Sequence, residues 1–289
     1  MSILAAMPAS PLRASAIVIG DEILGGYVRD TNSGWLASRL QQHGVPLERV
    51  VTVPDDRAAI GEALGTELGR ARPRVIVTSG GIGTTPDDLT LEAVARHVGA
   101  ELVVEPHIDA HITALLERIA ARGIAVDEAH EVAMRKMALV PAGTYLLGGS
   151  ADGMAPGVAL DVDGGCRTDG GATLVLLPGI PSEFQRITAA HVEPRLLAGR
   201  GEPTHVVELT HPYPESAING VLQQVGVAYP DVHVGSYPGY ECTIRLKGPQ
   251  PRVEDAAALV REAIARLHAT PGAEAMRTAW QTHWAPDEG

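Results

Sequence analysis

The chain has 289 residues, which is enough for two folded domains, and the larger of them can enclose a full hydrophobic core. Its formal net charge is −12, which argues against DNA or RNA as the main partner. A small nucleotide is not excluded, because backbone N–H groups and a metal ion neutralise its charge locally. Only 3% of the residues are aromatic, so we expect an aliphatic core.

The cysteines and the N-terminal residues bear on the cellular compartment. Cys166 and Cys242 lie far apart and show neither paired nor metal-ligand spacing, which is typical of a reducing cytoplasm. No apolar run is long enough to span a membrane, and residues 1–13 lack the basic start of a secretory signal. We therefore expect a cytoplasmic protein with no membrane partner, and we interpret residues 1–13 as a loose leader.

The first part of the chain alternates predicted strands with predicted helices. Runs of apolar and β-branched residues predict buried strands at residues 14–19, 47–53 and 74–77. Apolar residues at helical spacing follow each run, and Gly44 ends the first helix. Because the connections are short, this alternation predicts an α/β fold with a parallel sheet that is covered on both faces.

The loop after the third predicted strand, residues 78–90, has the features of a phosphate-binding site. Its glycines let the backbone approach a ligand, and the helix that follows offers free N–H groups and a positive dipole end. Asp87 and Asp88 would repel an anion unless a cation lay between them. The loop therefore predicts a phosphorylated ligand bound together with a divalent metal. The glycines of this loop are Gly80, Gly81 and Gly83.

The same loop permits a purely structural interpretation, in which Asp88 is the N-cap of the following helix. The loop fails the dinucleotide-binding fingerprint because Pro86 stands where the third glycine would be, and it lacks the Gly-Lys-Ser/Thr ending of the P-loop. One carboxylate suffices for a cap, however. Asp87, Thr84 and Thr85 beside Asp88 exceed that need, which favours a binding site.

A second aspartate pair follows the second predicted strand, at Asp55 and Asp56. Asp55 either caps the helix that begins there or faces Asp88 across a crevice. The second interpretation rests on our expectation that the second and third strands are neighbours. In that arrangement Asp55 and Asp88 form a pair suited to metal binding or to work as a general base.

Acidic residues also follow the first strand and a later one. Asp21 and Glu22 form either a solvated turn or part of the same site. Glu183 follows the turn at Pro178 and Gly179, where a carboxylate suits the positive end of a helix dipole. Acidic loops thus follow four predicted strands, and loops of this kind gather at the carboxyl edge of a parallel sheet, where ligands bind.

The middle of the chain changes from helical to strand-like patterns. Residues 101–104 predict a short strand, and residues 106–123 and 127–136 predict helices. Residues 139–177 lose the helical period and gain glycine, which predicts short strands joined by hairpin turns. Within them, the apolar run at residues 173–177 predicts a buried strand.

A linker at residues 196–203 separates two predicted domains. Residues 204–268 alternate strand and helix patterns and predict a small α+β domain near the minimum size that folds alone. Residues 269–289 form a C-terminal tail with little pattern. This tail is either disordered or docked through Trp280 and Trp284.

Several motifs together resemble those of the CinA family, the competence/damage-inducible proteins A. The resemblance covers residues 14–198 and is closest to the N-terminal half of CinA, a molybdopterin-binding domain similar to MogA and MoaB. Residues 204–268 resemble the small KH-like domain that follows it. The C-terminal deamidase domain of CinA has no counterpart in this sequence, so we expect no deamidase activity. The motifs are Gly20-Asp21-Glu22-Ile23-Leu24, Asp30-Thr31-Asn32, Pro54-Asp55-Asp56, Gly80-Gly81-Ile82-Gly83-Thr84-Thr85-Pro86-Asp87-Asp88, Ala155-Pro156-Gly157 and Pro178-Gly179-Ile180-Pro181-Ser182-Glu183.

The resemblance implies a three-layer α/β/α fold that binds a phosphorylated pterin or nucleotide. CinA-type domains are associated with metal-dependent cleavage of the pyrophosphate in ADP-ribose, and MogA-like members use aspartates matching Asp88 and Asp55 when they adenylate molybdopterin. We therefore expect Asp88 and Asp55 to be catalytic and, with Asp21, to hold Mg, Mn or Co. The expected phosphate- or substrate-binding residues are Gly80, Gly81, Gly83, Thr84, Thr85, Gly20, Asp21, Asn32, Pro156, Gly157, Pro178, Gly179 and Glu183.

The sequence departs from the family pattern at three positions. Thr84 stands where proline is usual, Met134 opens a segment that is usually Asn-x-Lys, and Met154 replaces a threonine. The two thioethers cannot donate hydrogen bonds. These changes support an alternative hypothesis, a non-catalytic protein that binds molybdopterin or a nucleotide in molybdenum cofactor metabolism.

The KH-like segment does not predict RNA binding. Its signature Gly-x-x-Gly loop is absent, and acidic residues outnumber basic ones over residues 204–268. We interpret this domain as structural and expect a homo-oligomer, with a dimer favoured over a trimer. The expected partners are thus a small phosphorylated nucleotide or pterin and a second copy of the chain.

Overall fold

The computed structural model describes residues 10–148 and 157–284. The predictions at Pro156 and Met154, and most of the N-terminal leader, fall outside these residues. The chain divides into two compact units, Met1–Pro203 and Thr204–Gly289.

A six-stranded sheet forms the centre of the first unit, with the strand order β2-β1-β3-β8-β7-β6. β2, β1, β3 and β8 run parallel to one another, whereas β7 pairs antiparallel with β8 and β6 pairs antiparallel with β7. The predicted mostly parallel α/β sheet is therefore confirmed. The strands are β1 (Arg13–Ile19), β2 (Leu47–Val53), β3 (Arg74–Ser79), β6 (Tyr145–Leu147), β7 (Gly157–Val162) and β8 (Ala172–Leu177).

Helices cover both faces of this sheet. Val77 of β3 packs in one core cluster with Leu36 and Phe184, and the adjacent Ile76 packs in another with Ile60 and Val94. Successive side chains of a strand point to opposite faces, so the sheet is the middle of three layers. The helices are α1 (Asp21–Leu24), α2 (Asn32–Gln42), α3 (Arg57–Leu68), α4 (Thr90–Val98), α5 (Pro106–Ala121), α6 (Glu128–Lys136) and α7 (Pro181–Ile187), followed by a π-helix (Thr188–Leu197).

One expectation about the sheet is wrong: β2 and β3 are not neighbours, because β1 lies between them and pairs with both. Nearly every residue of β1 is buried, which suits a central strand, whereas β2 exposes Glu48, Arg49 and Val50. Exposed charged side chains suit the edge of a sheet. The four parallel strands are nevertheless contiguous, so their carboxyl ends lie along one edge.

A small antiparallel ribbon lies apart from the central sheet. It consists of β4 (Leu102–Val104) and β5 (Leu139–Pro141), which pair through Val103 and Val140. The helices α5 and α6 occupy the stretch of chain between these two strands.

The second unit is a three-stranded antiparallel sheet with helices. Its strand order is β10-β11-β9, and α8 and α9 contribute to its apolar core. The predicted tail contains a helix, and within this unit Trp280 Nε1 donates a hydrogen bond of 3.0 Å to Gly239 O. The elements are β9 (His205–His211), α8 (Asn219–Ala228), β10 (His233–Tyr237), β11 (Cys242–Gly248), α9 (Gln250–His268) and α10 (Ala273–His283).

Two further observations concern the described parts of the chain. None of their helices is both long enough and apolar enough to cross a membrane. Cys166 and Cys242 are both buried, and neither is in a disulfide.

Candidate functional site

A pocket of about 610 Å³ lies at the carboxyl edge of the parallel strands. The loops after β1, β2, β3 and β8 all contribute to it, as expected for an open α/β sheet. Most of the predicted site residues line this pocket, and they come from four separate segments. These residues are Gly20, Asn32, Asp55, Gly80, Gly81, Gly83, Thr84, Thr85, Asp88, Pro178, Gly179 and Glu183.

Two predicted residues lie elsewhere. Gly157 is buried at the start of β7, where an added Cβ would lie 2.5 Å from Leu177 Cδ2, so its role is close packing in the core. Asp21 is not among the residues that line the pocket, but its backbone N–H reaches Asp55 from the edge of the site.

The glycine loop is pressed against β1 and the start of α4. Gly80 and Gly81 have φ angles of 105° and 68°, a region that favours glycine, and a Cβ on Gly80 would lie 2.4 Å from Ile19 O. Thr90 Oγ1 donates a hydrogen bond of 2.9 Å to Gly80 O, and Thr90 N donates one of 2.9 Å to Gly81 O. These contacts and hydrogen bonds fix the backbone conformation of the loop at Gly80 and Gly81.

Asp88 does not cap α4. The helix begins at Thr90, and its N-cap is Leu89, which makes no side-chain hydrogen bond. Asp88 Oδ2 instead accepts hydrogen bonds from Thr85 N at 2.8 Å and from Thr85 Oγ1 at 2.6 Å. Asp88 Oδ1 has no hydrogen-bond partner among the described residues, so it is available to a ligand.

Asp55 is not a helix cap either. Asp56 Oδ1 caps α3 by accepting hydrogen bonds from Ala58 N and Ala59 N, both at 2.9 Å. Asp55 Oδ2 accepts one from Asp21 N at 2.8 Å. Burial of Asp55, together with the negative charges of Glu22, Asp21 and Asp87, raises its pKa above the ordinary value. Negative charge thus accumulates at Asp55, where a bound cation would be stabilised.

Asn32 joins three segments at the base of the pocket. Its Nδ2 donates hydrogen bonds of 2.9 Å to Ser79 Oγ at the end of β3 and to Gly179 O after β8. Asn32 is only 5% exposed, so this amide is part of the framework. Asp30 Oδ1 accepts hydrogen bonds from Asn32 N and Ser33 N and so fixes the start of α2.

Two cations at the site were missed by the sequence predictions. Lys136, in the last turn of α6, donates a hydrogen bond of 2.5 Å from Nζ to Thr85 O. The Thr85 side chain, the backbone N–H of Asp87 and the charge of Lys136 lower the pKa of Asp87. Arg29 lines the pocket itself. The available signal for Arg29 was its position directly before the Asp30-Thr31-Asn32 motif. Lys136 lies 51 residues from Thr85, and the signal for it was its place in the segment that is usually Asn-x-Lys in the family.

The methionine at position 134 does not replace a polar group of the pocket. Met134 is buried in the core cluster, and the pocket is lined by Met137 instead. Of the two departures that fall within the described residues, Thr84 lines the pocket and Met134 does not, while Met154 lies outside those residues.

The carboxylates of the pocket do not form a preorganised metal-binding site among the described residues. Across residues 10–148 and 157–284, no group of three or more His, Cys, Asp or Glu side chains is placed to hold a metal ion. Mg²⁺ is usually bound through one or two carboxylates together with waters and substrate phosphates. Asp55 and Asp88 supply hard oxygen donors of that kind, so the residues present suit a metal that arrives with a phosphorylated ligand.

Sequence comparisons identify relatives of the chain. Residues 15–198 match the family model described as "Probable molybdopterin binding domain". A protein of Pyrobaculum calidifontis is 34% identical over 263 residues, which cover 88% of this chain and 94% of that one. A CinA-like protein of Geobacter sp. is 41% identical over 185 residues, and one of Mycobacterium sp. is 38% identical over 216 residues.

The coverage differs between these relatives. The matches take in 64% and 73% of this chain but only 41% and 49% of the two CinA-like proteins, so the chain spans about half their length. A structural comparison matches the protein CinA from Thermoplasma acidophilum, described as of unknown function, with a TM-score of 0.50 and 30% identity. That match covers 62% of this chain and 94% of the other. The chain therefore belongs to the family of probable molybdopterin-binding domains and is a CinA-like protein.

Proposed function

We propose that the protein is a divalent-metal-dependent nucleotide pyrophosphatase, a hydrolase that acts on ADP-ribose or a related dinucleotide. The observation that carries this proposal is the placement of Asp55 and Asp88. Both line one pocket with the glycine loop, and neither is used as a helix cap. Two partly buried carboxylates that line a pocket and cap no helix indicate a chemical role.

The glycine loop supports binding of a phosphate. Gly80 and Gly81 line the pocket, the lack of a Cβ at each lets the loop pack against Ile19 and Thr90, and the N-terminus of α4 follows the loop. A Cβ on Gly83 would lie 2.7 Å from Asp88 Oδ2, so glycine also keeps space beside that carboxylate. The pocket volume falls within the range of small-molecule sites.

The carboxylates support hydrolysis of the pyrophosphate. Asp55 and Asp88 would hold the metal together with phosphate oxygens, and a metal so placed polarises the phosphoryl oxygens and lowers the pKa of a water. Water adds to one phosphorus and the bridging P–O bond breaks, so ADP-ribose yields AMP and ribose 5-phosphate.

A substrate panel with product analysis tests this function. ADP-ribose, FAD and NAD are each incubated with the protein and Mg²⁺, Mn²⁺ or Co²⁺, and AMP is measured by chromatography. We expect AMP from at least one substrate and its loss in Asp88→Asn and Asp55→Asn. Asp56→Asn is the matched control, because it makes the same charge change next to Asp55 and asparagine is also a good N-cap. Absence of AMP with every substrate, or Asp88→Asn as active as wild type, contradicts the proposal.

A second candidate is a protein that binds molybdopterin or a nucleotide without turnover. It is favoured by the lack, in the described ranges, of a preformed group of three metal-ligating side chains. It predicts that a ligand raises the melting temperature while no product forms, because a ligand that binds only the folded state stabilises it. Calorimetry that detects no binding of molybdopterin or of nucleotides would exclude it.

A further inference from the structure

Residues 25–29, which we call the mouth loop, form a well-defined projection beside the pocket. Tyr27 N and Val28 N donate hydrogen bonds of 2.9 Å and 3.1 Å to Glu22 O. Gly25 N donates one of 2.8 Å to Asp21 O, and Gly26 has a φ of 73°. Beyond the loop, Asp30 holds the start of α2. Hydrogen bonds therefore hold the mouth loop at both of its ends.

Tyr27 is an exposed aromatic residue on this loop. Tyr27 is 87% exposed. Aromatic residues make up only 3% of the chain, so a largely exposed one is unusual in this protein. The ring lies against Gly25, because a Cβ at that glycine would come within 2.6 Å of Tyr27 Cε2. The adjacent Val28 is 50% exposed and lines the pocket. Tyr27 is not itself a lining residue, but it directly precedes two that are, so an exposed aromatic side chain stands one residue away from the pocket lining and is suited to stacking on a planar ring.

Arg29 is a cation in acidic surroundings. It lines a pocket whose wall also carries six carboxylate side chains, yet it makes no ion pair or hydrogen bond within the described ranges of the chain. Elsewhere in the same unit, Arg39 and Arg74 are held by carboxylates. A guanidinium left free at such a position is complementary to an anionic group that enters with a ligand. The six carboxylate residues are Glu22, Asp30, Asp55, Asp87, Asp88 and Glu183.

We propose that the mouth loop is the subsite for the nucleotide half of the ligand, with the base stacked on Tyr27 and the neighbouring phosphate paired with Arg29. This inference rests on the proposed function and deepens it, because it names the part of the substrate that the enzyme recognises. The glycine loop and Arg29 line the same pocket, so a ligand with two linked phosphates has a partner for each. A sugar phosphate without a base lacks the stacking contact.

Binding of the two expected products tests the subsite. Isothermal titration calorimetry with AMP and with ribose 5-phosphate, each with EDTA and with Mg²⁺, is carried out on wild type, Tyr27→Ala, Tyr27→Phe and Arg29→Gln. Tyr240→Ala and Arg118→Gln are the controls, since both residues are exposed and lie outside the pocket. The base is present only in AMP, so the difference between the two ligands isolates the stacking contact.

We expect wild type to bind AMP more tightly than ribose 5-phosphate. Tyr27→Ala should weaken AMP binding by about tenfold and leave ribose 5-phosphate unchanged, as expected for the loss of one base–aromatic stack. Tyr27→Phe should keep most of the AMP affinity, because the ring remains. Arg29→Gln should weaken AMP binding, and more strongly at low salt, because Arg29 pairs with the phosphate next to the base.

Several results would overturn the subsite. These are equal wild-type affinities for the two ligands, no AMP binding by wild type, or AMP binding by Tyr27→Ala and Arg29→Gln that equals that of the controls. The pyrophosphatase activity and the mouth-loop subsite can be contradicted separately, because the binding of AMP is measured without any hydrolysis. Base-dependent AMP binding without hydrolysis contradicts the pyrophosphatase alone, whereas hydrolysis with an unchanged KM in both mouth-loop variants contradicts the subsite alone.

Discussion

The backbone N–H of Asp21 donates a hydrogen bond of 2.8 Å to Asp55 Oδ2 and so joins the loop after β1 to the loop after β2. β1 and β2 are adjacent parallel strands, which end at the same edge of the sheet. Because Asp56 supplies the helix cap, Asp55 is left to line the pocket. One of two adjacent aspartates is thus structural, and the other faces the candidate site.

The division of roles between Asp55 and Asp56 predicts opposite effects of two alanine substitutions. Asp56→Ala removes the cap of α3 and should lower the free energy of unfolding by about 1 kcal/mol while leaving catalysis intact. Asp55→Ala should change stability less and abolish product formation. Urea denaturation and the AMP assay on both variants measure the two effects. Equal activity losses in the two variants would contradict the assignment.

Gly80 should tolerate no side chain. Gly80→Ala places a Cβ at a φ of 105° and 2.4 Å from Ile19 O, so we expect a loss of about 3 kcal/mol in the free energy of unfolding. Gly34→Ala, in the exposed part of α2 with no atom within 4 Å of the added Cβ, should be neutral or stabilising. Denaturant unfolding of both variants provides the comparison, and a Gly80→Ala protein as stable as Gly34→Ala would be inconsistent with the clash.

Lys136 should contribute to binding of the phosphate. Lys136→Gln removes the ammonium that contacts Thr85 O, and we expect the affinity for a phosphorylated ligand to fall by about tenfold. Arg135→Gln is the control on the same helix, because Arg135 pairs with Asp109 and Glu131 rather than with the glycine loop. Calorimetry with AMP measures both variants. If the two lose affinity equally, a general effect of charge or of α6 explains the loss.

The second unit should lose stability in mild acid because of His211. Burial lowers the pKa of His211 below 6.5, the nearby His268 lowers it further, and Glu215 acts in the opposite direction. Tyr213 N donates to His211 Nδ1 at 3.3 Å, and His211 Nε2 is buried with no hydrogen-bond partner in the described ranges. The folded unit therefore favours the neutral ring.

The sign of this effect follows from proton uptake. The unfolded chain binds a proton near pH 6.5 and the folded unit only at lower pH, so the free energy of unfolding falls as the pH drops through that window. It should be fully retained above pH 6.5. Trp280 and Trp284 lie in the second unit, so in a Trp35→Phe background tryptophan fluorescence measures the unfolding of this unit alone. His211→Gln should flatten the pH profile between pH 5 and 7, whereas His233→Gln, at an exposed position, should not.

Much of the fold was predictable because its signals are local. Alternating strand and helix periods predicted the parallel strands, and the predicted helix at residues 127–136 differs from α6 only at Asp127, which is its N-cap. The left-handed backbone of Gly80 and Gly81 follows from the chemistry of glycine. The placement of α10 was not predictable, because it depends on a contact between Trp280 and Gly239, 41 residues away.

The sequence by itself determined the α/β class and the glycine loop, since both depend on residues that are neighbours along the chain, and the resemblance to the CinA family pointed to Asp55 and Asp88. Only the tertiary structure decided that β1 lies between β2 and β3, that Asp56 and not Asp55 caps α3, and that Lys136 reaches Thr85 across 51 residues. It also decided that Arg29 lines an acidic pocket without a partner in the described ranges. Strand order and long-range charge contacts depend on how distant segments pack, and the spacing of residues along the chain carries no information about that packing.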